Sequence, residues 1–225
     1  MRFEEIEEFY WDAIYDQAIS ELIERGISDQ RLEQITNYLG TYGDAVQRRI
    51  DRCILKARNL MKVGFPGSAV VSAVTAMELM MRYFVLRPTL EGAFLSDEWA
   101  RIFVGHILKQ RSAADRELLP AVLRLWDIEL NTFRLPSGKP LWATFTSDVL
   151  PLRNNIVHKG SEASPDSAAM AIEIAESFLD QVVKPLSDRF GFSWSRTRCW
   201  NPTKQGVGGA KSNRHFISKS PFNDE

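Results

Sequence analysis

Ala57-Arg58-Asn59-Leu60-Met61-Lys62-Val63-Gly64-Phe65-Pro66-Gly67-Ser68-Ala69-Val70-Val71 decides the fold. Before Val63 the apolar residues Val46, Ile50, Cys53, Ile54, Ala57, Leu60 and Met61 recur at helical spacing, and Asp44 and Gln47 have the spacing of a capping box. Gly64, Pro66 and Gly67 interrupt that pattern. After them, Ser68 to Val85 predicts a second helix, apolar on most sides and therefore buried on most of its surface. An amphipathic helix, a tight turn and an apolar helix make the first antiparallel pair of a bundle.

Working outward, Glu4 to Arg25 has helical periodicity that Gly26 ends, and Ser28 caps a short helix to Leu39 that Gly40 closes. Downstream, Pro88 and Gly92 end the apolar helix, and helices are predicted from Ser96 to Arg111 and from Asp115 to Phe133. Pro136, Gly138 and Pro140 form a loop. Leu141 to His158 is helical and kinked at Pro151, and Lys159-Gly160 stops it. Ser164-Pro165-Asp166 starts a helix that runs to Val183. No run alternates long enough to predict a strand. The expected fold is all-α: an antiparallel bundle of four to five helices over residues 43–187, a helical-hairpin extension over 1–42, and a tail over 188–225.

A chain of 225 residues with 44% hydrophobic side chains can bury a substantial core. Its net charge of -1 hides an uneven distribution. Residues 1–42 carry ten acidic and three basic side chains, and residues 188–225 carry seven basic and three acidic ones. Two lone cysteines, Cys53 and Cys199, and three histidines give no metal-ligand spacing, so neither a metal nor another cofactor is expected. The N-terminus lacks the pattern of a secretory signal, and the apolar stretch from Phe65 to Leu86 contains Glu78 and Arg82, so it reads as a buried helix and not a membrane span. A cytoplasmic location is expected.

Within Leu150 to Gly160, Arg153-Asn154-Asn155-Ile156-Val157-His158 combines a fixed cation, an amide and a titratable imidazole. Arg153 stays protonated and can grip two phosphate oxygens, His158 can move a proton near neutral pH, and Asn154 can hold the imidazole or contact a phosphate. On an ideal helix Asn154 and His158 share a face, while Arg153 and His158 stand about 140° apart and border one groove. His158 could instead merely complement the helix dipole. Glu78 in an apolar helix needs a partner, either Arg153 or Arg82. His106 reads as structural or exposed. In the tail, Trp194 and Trp200 with Arg196 and Arg198 could stack on and grip RNA, as Lys159 could beside the motif, or simply be solvated.

On three features, the chain resembles the HEPN superfamily over residues 44–187: the pair of helices around Ala57 to Val71, the acidic position in Ala76-Met77-Glu78-Leu79, and the Arg-x4-His motif with Asn154 after Arg153. Many members are metal-independent endoribonucleases. The resemblance implies a homodimer whose Arg153, Asn154 and His158 form a composite catalytic site, with Glu78 in support. It implies RNA as substrate, cleavage by 2′-hydroxyl transesterification, and a setting of toxin–antitoxin or antiphage defence with an antitoxin protein as partner. The family also holds inactive members that act as binding or dimerisation modules or partner a nucleotidyltransferase.

Overall fold

The computed structural model describes residues 29–89, 114–194 and 200–202. The helices expected over Glu4 to Arg25 and Ser96 to Arg111, His106, the cations Arg196 and Arg198, and residues 203–225 lie outside the described residues.

The first described helix, α1, runs unbroken from Asp29 to Lys62 over 34 residues. The break expected at Gly40 and the new start at Asp44 do not occur, so the join between the expected extension and the bundle lies inside one helix. A helical glycine costs about 1 kcal/mol relative to alanine. Ile35, Tyr38, Leu39, Val46 and Ile50 are buried on both sides of Gly40 and Gly43. Burying one such side chain contributes about 1.5–3 kcal/mol, which outweighs both glycines. Gly64 takes φ 82, a left-handed conformation suited to glycine, and the turn closes with Phe65 N–H donating to the Leu60 carbonyl at 2.9 Å.

Helix α2 (Pro66–Thr89) begins two residues before the expected Ser68, with Pro66 in its first turn. It occupies the middle of the bundle. Its small and medium residues Ala69, Val70, Ala73, Val74, Ala76 and Met77 are buried against the neighbours. Length and composition alone would let it cross a membrane, but 67% of its most apolar window is buried inside the protein. Helix α3 (Ala114–Arg124) is shorter than the expected Asp115 to Phe133. Asp127 adopts φ 54, and Ile128 N–H turns back to the Leu123 carbonyl at 3.0 Å. This reversal drives Ile128 and Leu130 into the core, and Trp126 packs edge-on against Phe190 at 4.7 Å.

Two long helices complete the described bundle. Helix α4 (residues 141–159) joins Leu141–Thr144, Phe145–Val149 and Leu150–Lys159, and α5 (residues 165–189) joins Pro165–Phe178, Leu179–Val183 and Lys184–Arg189. Ser164 caps α5 by accepting the Ser167 N–H at 3.1 Å, with Pro165 in the first turn, as the sequence predicts. Helix α2 packs against α1, α4 and α5, and Phe84, Phe145 and Phe178 fill the interior.

The expected kink at Pro151 takes a specific form. Three stretches widen into π-turns: Met80–Leu86, Phe145–Val149 and Leu179–Val183. In each, an N–H bonds five residues back: Arg87 to Arg82, Leu150 to Phe145, and Lys184 to Leu179. A proline follows within two residues each time, Pro88, Pro151 or Pro185. Proline lacks the N–H of the regular ladder and its ring crowds the carbonyl four residues back. Widening the preceding turn accommodates that ring and lets the helix continue. For this reason α5 passes through Pro185 to Arg189 and does not end at Val183.

The all-α expectation needs one small amendment. Phe192–Trp194 (β1) pairs antiparallel with Trp200–Pro202 (β2), Trp194 opposite Trp200. Ser187 Oγ donates to the Phe192 carbonyl at 2.8 Å and ties this ribbon to the end of α5.

Candidate active site

The Arg-x4-His motif lies on the last two turns of α4. Gly160 ends the helix at φ 65 and donates its N–H to the Ile156 carbonyl at 3.1 Å, a left-handed cap that only glycine adopts without strain. Ile156 is half-buried and its Cγ2 would lie 3.8 Å from a Cβ on Gly67. Further back along α4, Arg153 meets Glu78. Ascending residue numbers on α4 therefore match descending numbers on α2, and the helices are antiparallel. His158 and Lys159 consequently point toward the end of the bundle where the Val63–Phe65 turn lies.

Arg153 is not an ordinary surface cation. Its side chain is 17% exposed, and Nη2 stands 3.6 Å from Glu78 Oε1. Nη1 donates to Asn154 Oδ1 at 3.2 Å, while Nε is buried without a partner. Of the two partners open to Glu78, the geometry selects Arg153. The 3.6 Å separation is an ion pair and too long for a hydrogen bond. Glu78 itself is 36% exposed, so water shares its charge and the burial penalty expected for it is reduced.

Asn154 is exposed, and its amide oxygen engages Arg153. His158 is exposed and makes no hydrogen bond or ion pair among the described residues. Lys159 beside it is also exposed, and both lie in the last turn, where positive charge suits the helix dipole. Asn155, half-buried, faces solvent less than Asn154 does. The structure thus brings Glu78, Arg153 and Asn154 together and leaves the imidazole free at the helix end. Trp194 is anchored to the bundle, its ring edge-on to Phe84 at 5.9 Å.

Two features were not legible as site features in the sequence. Val63, Phe65 and Val157 are 65%, 59% and 49% exposed, and the antiparallel packing of α2 and α4 gathers them at the end that carries His158. Elsewhere, a groove of about 470 Å³ opens between α1 and α5, lined by Arg58, Met61, Lys62, Ile172, Glu173 and Glu176 among others. Most of its charges are already engaged: Arg58 Nε pairs with Glu176 at 2.5 Å, which raises the arginine's pKa further, and Glu173 accepts the Ser137 N–H at 3.0 Å, while Lys62 at its rim makes no ion pair among the described residues. No motif residue lines this groove. Among the described residues no three His, Cys, Asp or Glu side chains gather closely enough to hold a metal ion.

Positioned cation, exposed imidazole and flanking lysine can together bind a phosphodiester and move a proton beside it. No family model matches this chain, and no curated protein or solved structure matches it.

Proposed function

We propose that this protein is a HEPN-like endoribonuclease that cleaves RNA by 2′-hydroxyl transesterification. The observation that carries the reading is the held geometry of Arg153 between Glu78 and Asn154, five residues before an exposed His158 on the same helix. In this reading the His158 imidazole takes the proton of the 2′-hydroxyl. The 2′-oxygen attacks phosphorus, the bond from phosphorus to the 5′-oxygen breaks, and that oxygen receives a proton. A 2′,3′-cyclic phosphate and a 5′-hydroxyl result. Arg153 stabilises the charge that develops on the phosphoryl oxygens. A twofold partner would add a second Arg153 and His158 to one cleft and supply the acid. Such an enzyme would act on cytoplasmic RNA as the toxin of a toxin–antitoxin or antiphage pair, held in check by an antitoxin protein.

One observation favours a second reading, an inactive binding or dimerisation module. A general base is normally oriented by a neighbour, and Asn154 turns to Arg153 and not to His158. Purified protein incubated with total RNA in EDTA separates the two. The nuclease reading expects cleavage that falls about 10²–10⁴-fold in His158→Ala and similarly in Arg153→Ala, with folding retained. Wild-type cleavage that is unchanged in His158→Ala would overturn it. Co-expressing wild type and His158→Ala in equal amounts should lower activity to about a quarter if one cleft needs both copies.

A further inference from the structure

Helix α1 buries Val46, Ile50, Ile54 and Ala57 on one side. At about 100° per residue, the opposite arc carries Arg48, Arg49, Arg52, Leu55, Lys56, Asn59 and Lys62, and Val63 follows in the turn just past the helix end. All eight are exposed, and Leu55 and Val63 are among the most exposed large apolar residues of the described chain at 57% and 65%. Asp51 is the only acidic residue between Arg48 and Lys62, and it sits at the edge of this arc. Arg48, Arg52, Lys56 and Lys62 make no ion pair among the described residues. The row extends about 21 Å along a straight helix and ends beside the turn that carries Phe65.

We propose that this face of α1 is a track for single-stranded RNA, on which Arg48, Arg52 and Lys56 hold successive phosphates, Lys62 holds a phosphate further along, and Phe65 stacks a base at the motif end. The proposal rests on the nuclease reading for its direction, since the track leads toward His158 and Lys159. Several features select this ligand. The surface is convex and its four cations fall within one arc about 120° wide, with Arg48, Arg52 and Lys56 on a single ridge, which suits one phosphate backbone and not the two of a duplex. Apolar Leu55 and Val63 alternate with the cations, and aromatic Phe65 is 59% exposed. Unpaired bases have faces to lay on such residues, whereas duplexes and acidic peptides do not. An anionic membrane would need a continuous apolar face beside the cations, and the apolar face of α1 is already buried in the bundle.

The test uses full-length His158→Ala protein, so that binding is read without cleavage, and a labelled 12-nucleotide oligouridylate across a series of salt concentrations. Changing Arg48, Arg52, Lys56 and Lys62 together to Gln should flatten the slope of log affinity against log salt by about 3 and weaken binding about 10²–10³-fold at 0.1 M salt. Phe65→Ala should weaken binding about 5- to 100-fold with the slope unchanged, and Phe65→Trp should restore it. A 12-base-pair duplex should bind more weakly and ignore Phe65. An unchanged slope in the fourfold variant would overturn the track, as would equal, Phe65-independent binding of duplex. A Phe65→Ala variant that keeps its RNA affinity and instead alters the protein's mass in solution would overturn the stacking role and assign that end to a second copy. The two readings fail separately. Slope changes as expected without any wild-type cleavage would sink the nuclease alone, and wild-type cleavage with an unaltered slope would sink the track alone.

Discussion

Replacing Glu78 with glutamine removes one charge and little volume, and it tests whether Arg153 is held or merely nearby. At 3.6 Å and an effective dielectric of about 20 the gross attraction is roughly 4–5 kcal/mol. Glu78 is 36% exposed, and the guanidinium has lost most of its own hydration, so the net contribution is far smaller. We expect Glu78→Gln to cost about 1–2 kcal/mol, because it strands a largely buried cation whose Nε already lacks a partner. Arg153→Met should stay within about 1 kcal/mol of wild type, since it removes that desolvated cation and keeps its packing. In the Arg153→Met background, Glu78→Gln should cost almost nothing, giving a coupling of about 1–2 kcal/mol. Urea unfolding followed by tryptophan fluorescence measures all four proteins, provided the slope is common to them. A coupling below about 0.3 kcal/mol, within ordinary additivity error, would refute the claim that Glu78 positions Arg153.

Other outcomes follow from α1. Gly40→Ala should raise stability by about 0.5–1 kcal/mol, because a Cβ there meets nothing within 4 Å; an unchanged or lower thermal midpoint would argue against the continuous helix. Burial raises the pKa of Asp51, against the opposing effects of Gln47 and Lys184. A carboxyl that binds its proton more tightly when folded stabilises most below its unfolded value, about pH 4, and loses that contribution as pH rises through the folded value. Asp51→Asn should therefore stabilise the protein at pH 7, with the gain fading below about pH 4 in unfolding curves; a constant gain would contradict this assignment. Burial likewise raises the Cys53 thiol, outweighing Arg49, Lys56 and Arg52, so iodoacetamide should modify it more slowly than a free thiol at pH 7.5.

The parts of this fold legible in the sequence are those fixed by local chemistry. Gly64 and Gly160 mark left-handed turns, Ser164-Pro165 marks a helix start, and the apolar run after Pro66 marks the central helix. Features decided by distant packing were not legible. Gly40 resembles a helix stop until Ile35, Leu39, Val46 and Ile50 are seen buried together. The end of α3 depends on Asp127 taking a positive φ without a glycine to announce it. The pairing of Trp194 with Trp200 involves strands too short to show alternation. At the site, the residues of the motif and the acidic position were readable, and so was the choice between two partners for Glu78. Which partner wins depends on the antiparallel register of α2 and α4, which spacing within one helix does not encode. The basic face of α1 was hidden for a related reason. Its cations all fall within the helix expected from Asp44, but that they share an open face is known only once the bundle has buried the opposite side of that helix.

The widened turns before Pro88, Pro151 and Pro185 each hold one residue more than a regular helix would use in the same rise. Such a turn acts as slack in the chain. Losing one residue from Phe145–Val149 would tighten it to ordinary helix while the faces on either side keep their phase. The same loss in Pro165–Phe178 would rotate everything beyond it by about 100° and turn its buried face outward. After the first kind of deletion Pro151 would sit in a regular helix, at a cost of about 3 kcal/mol. Proline in these helices therefore marks where the chain length is adjustable, and the seat of Arg153, two residues past one of them, is set by a length as well as by a side chain.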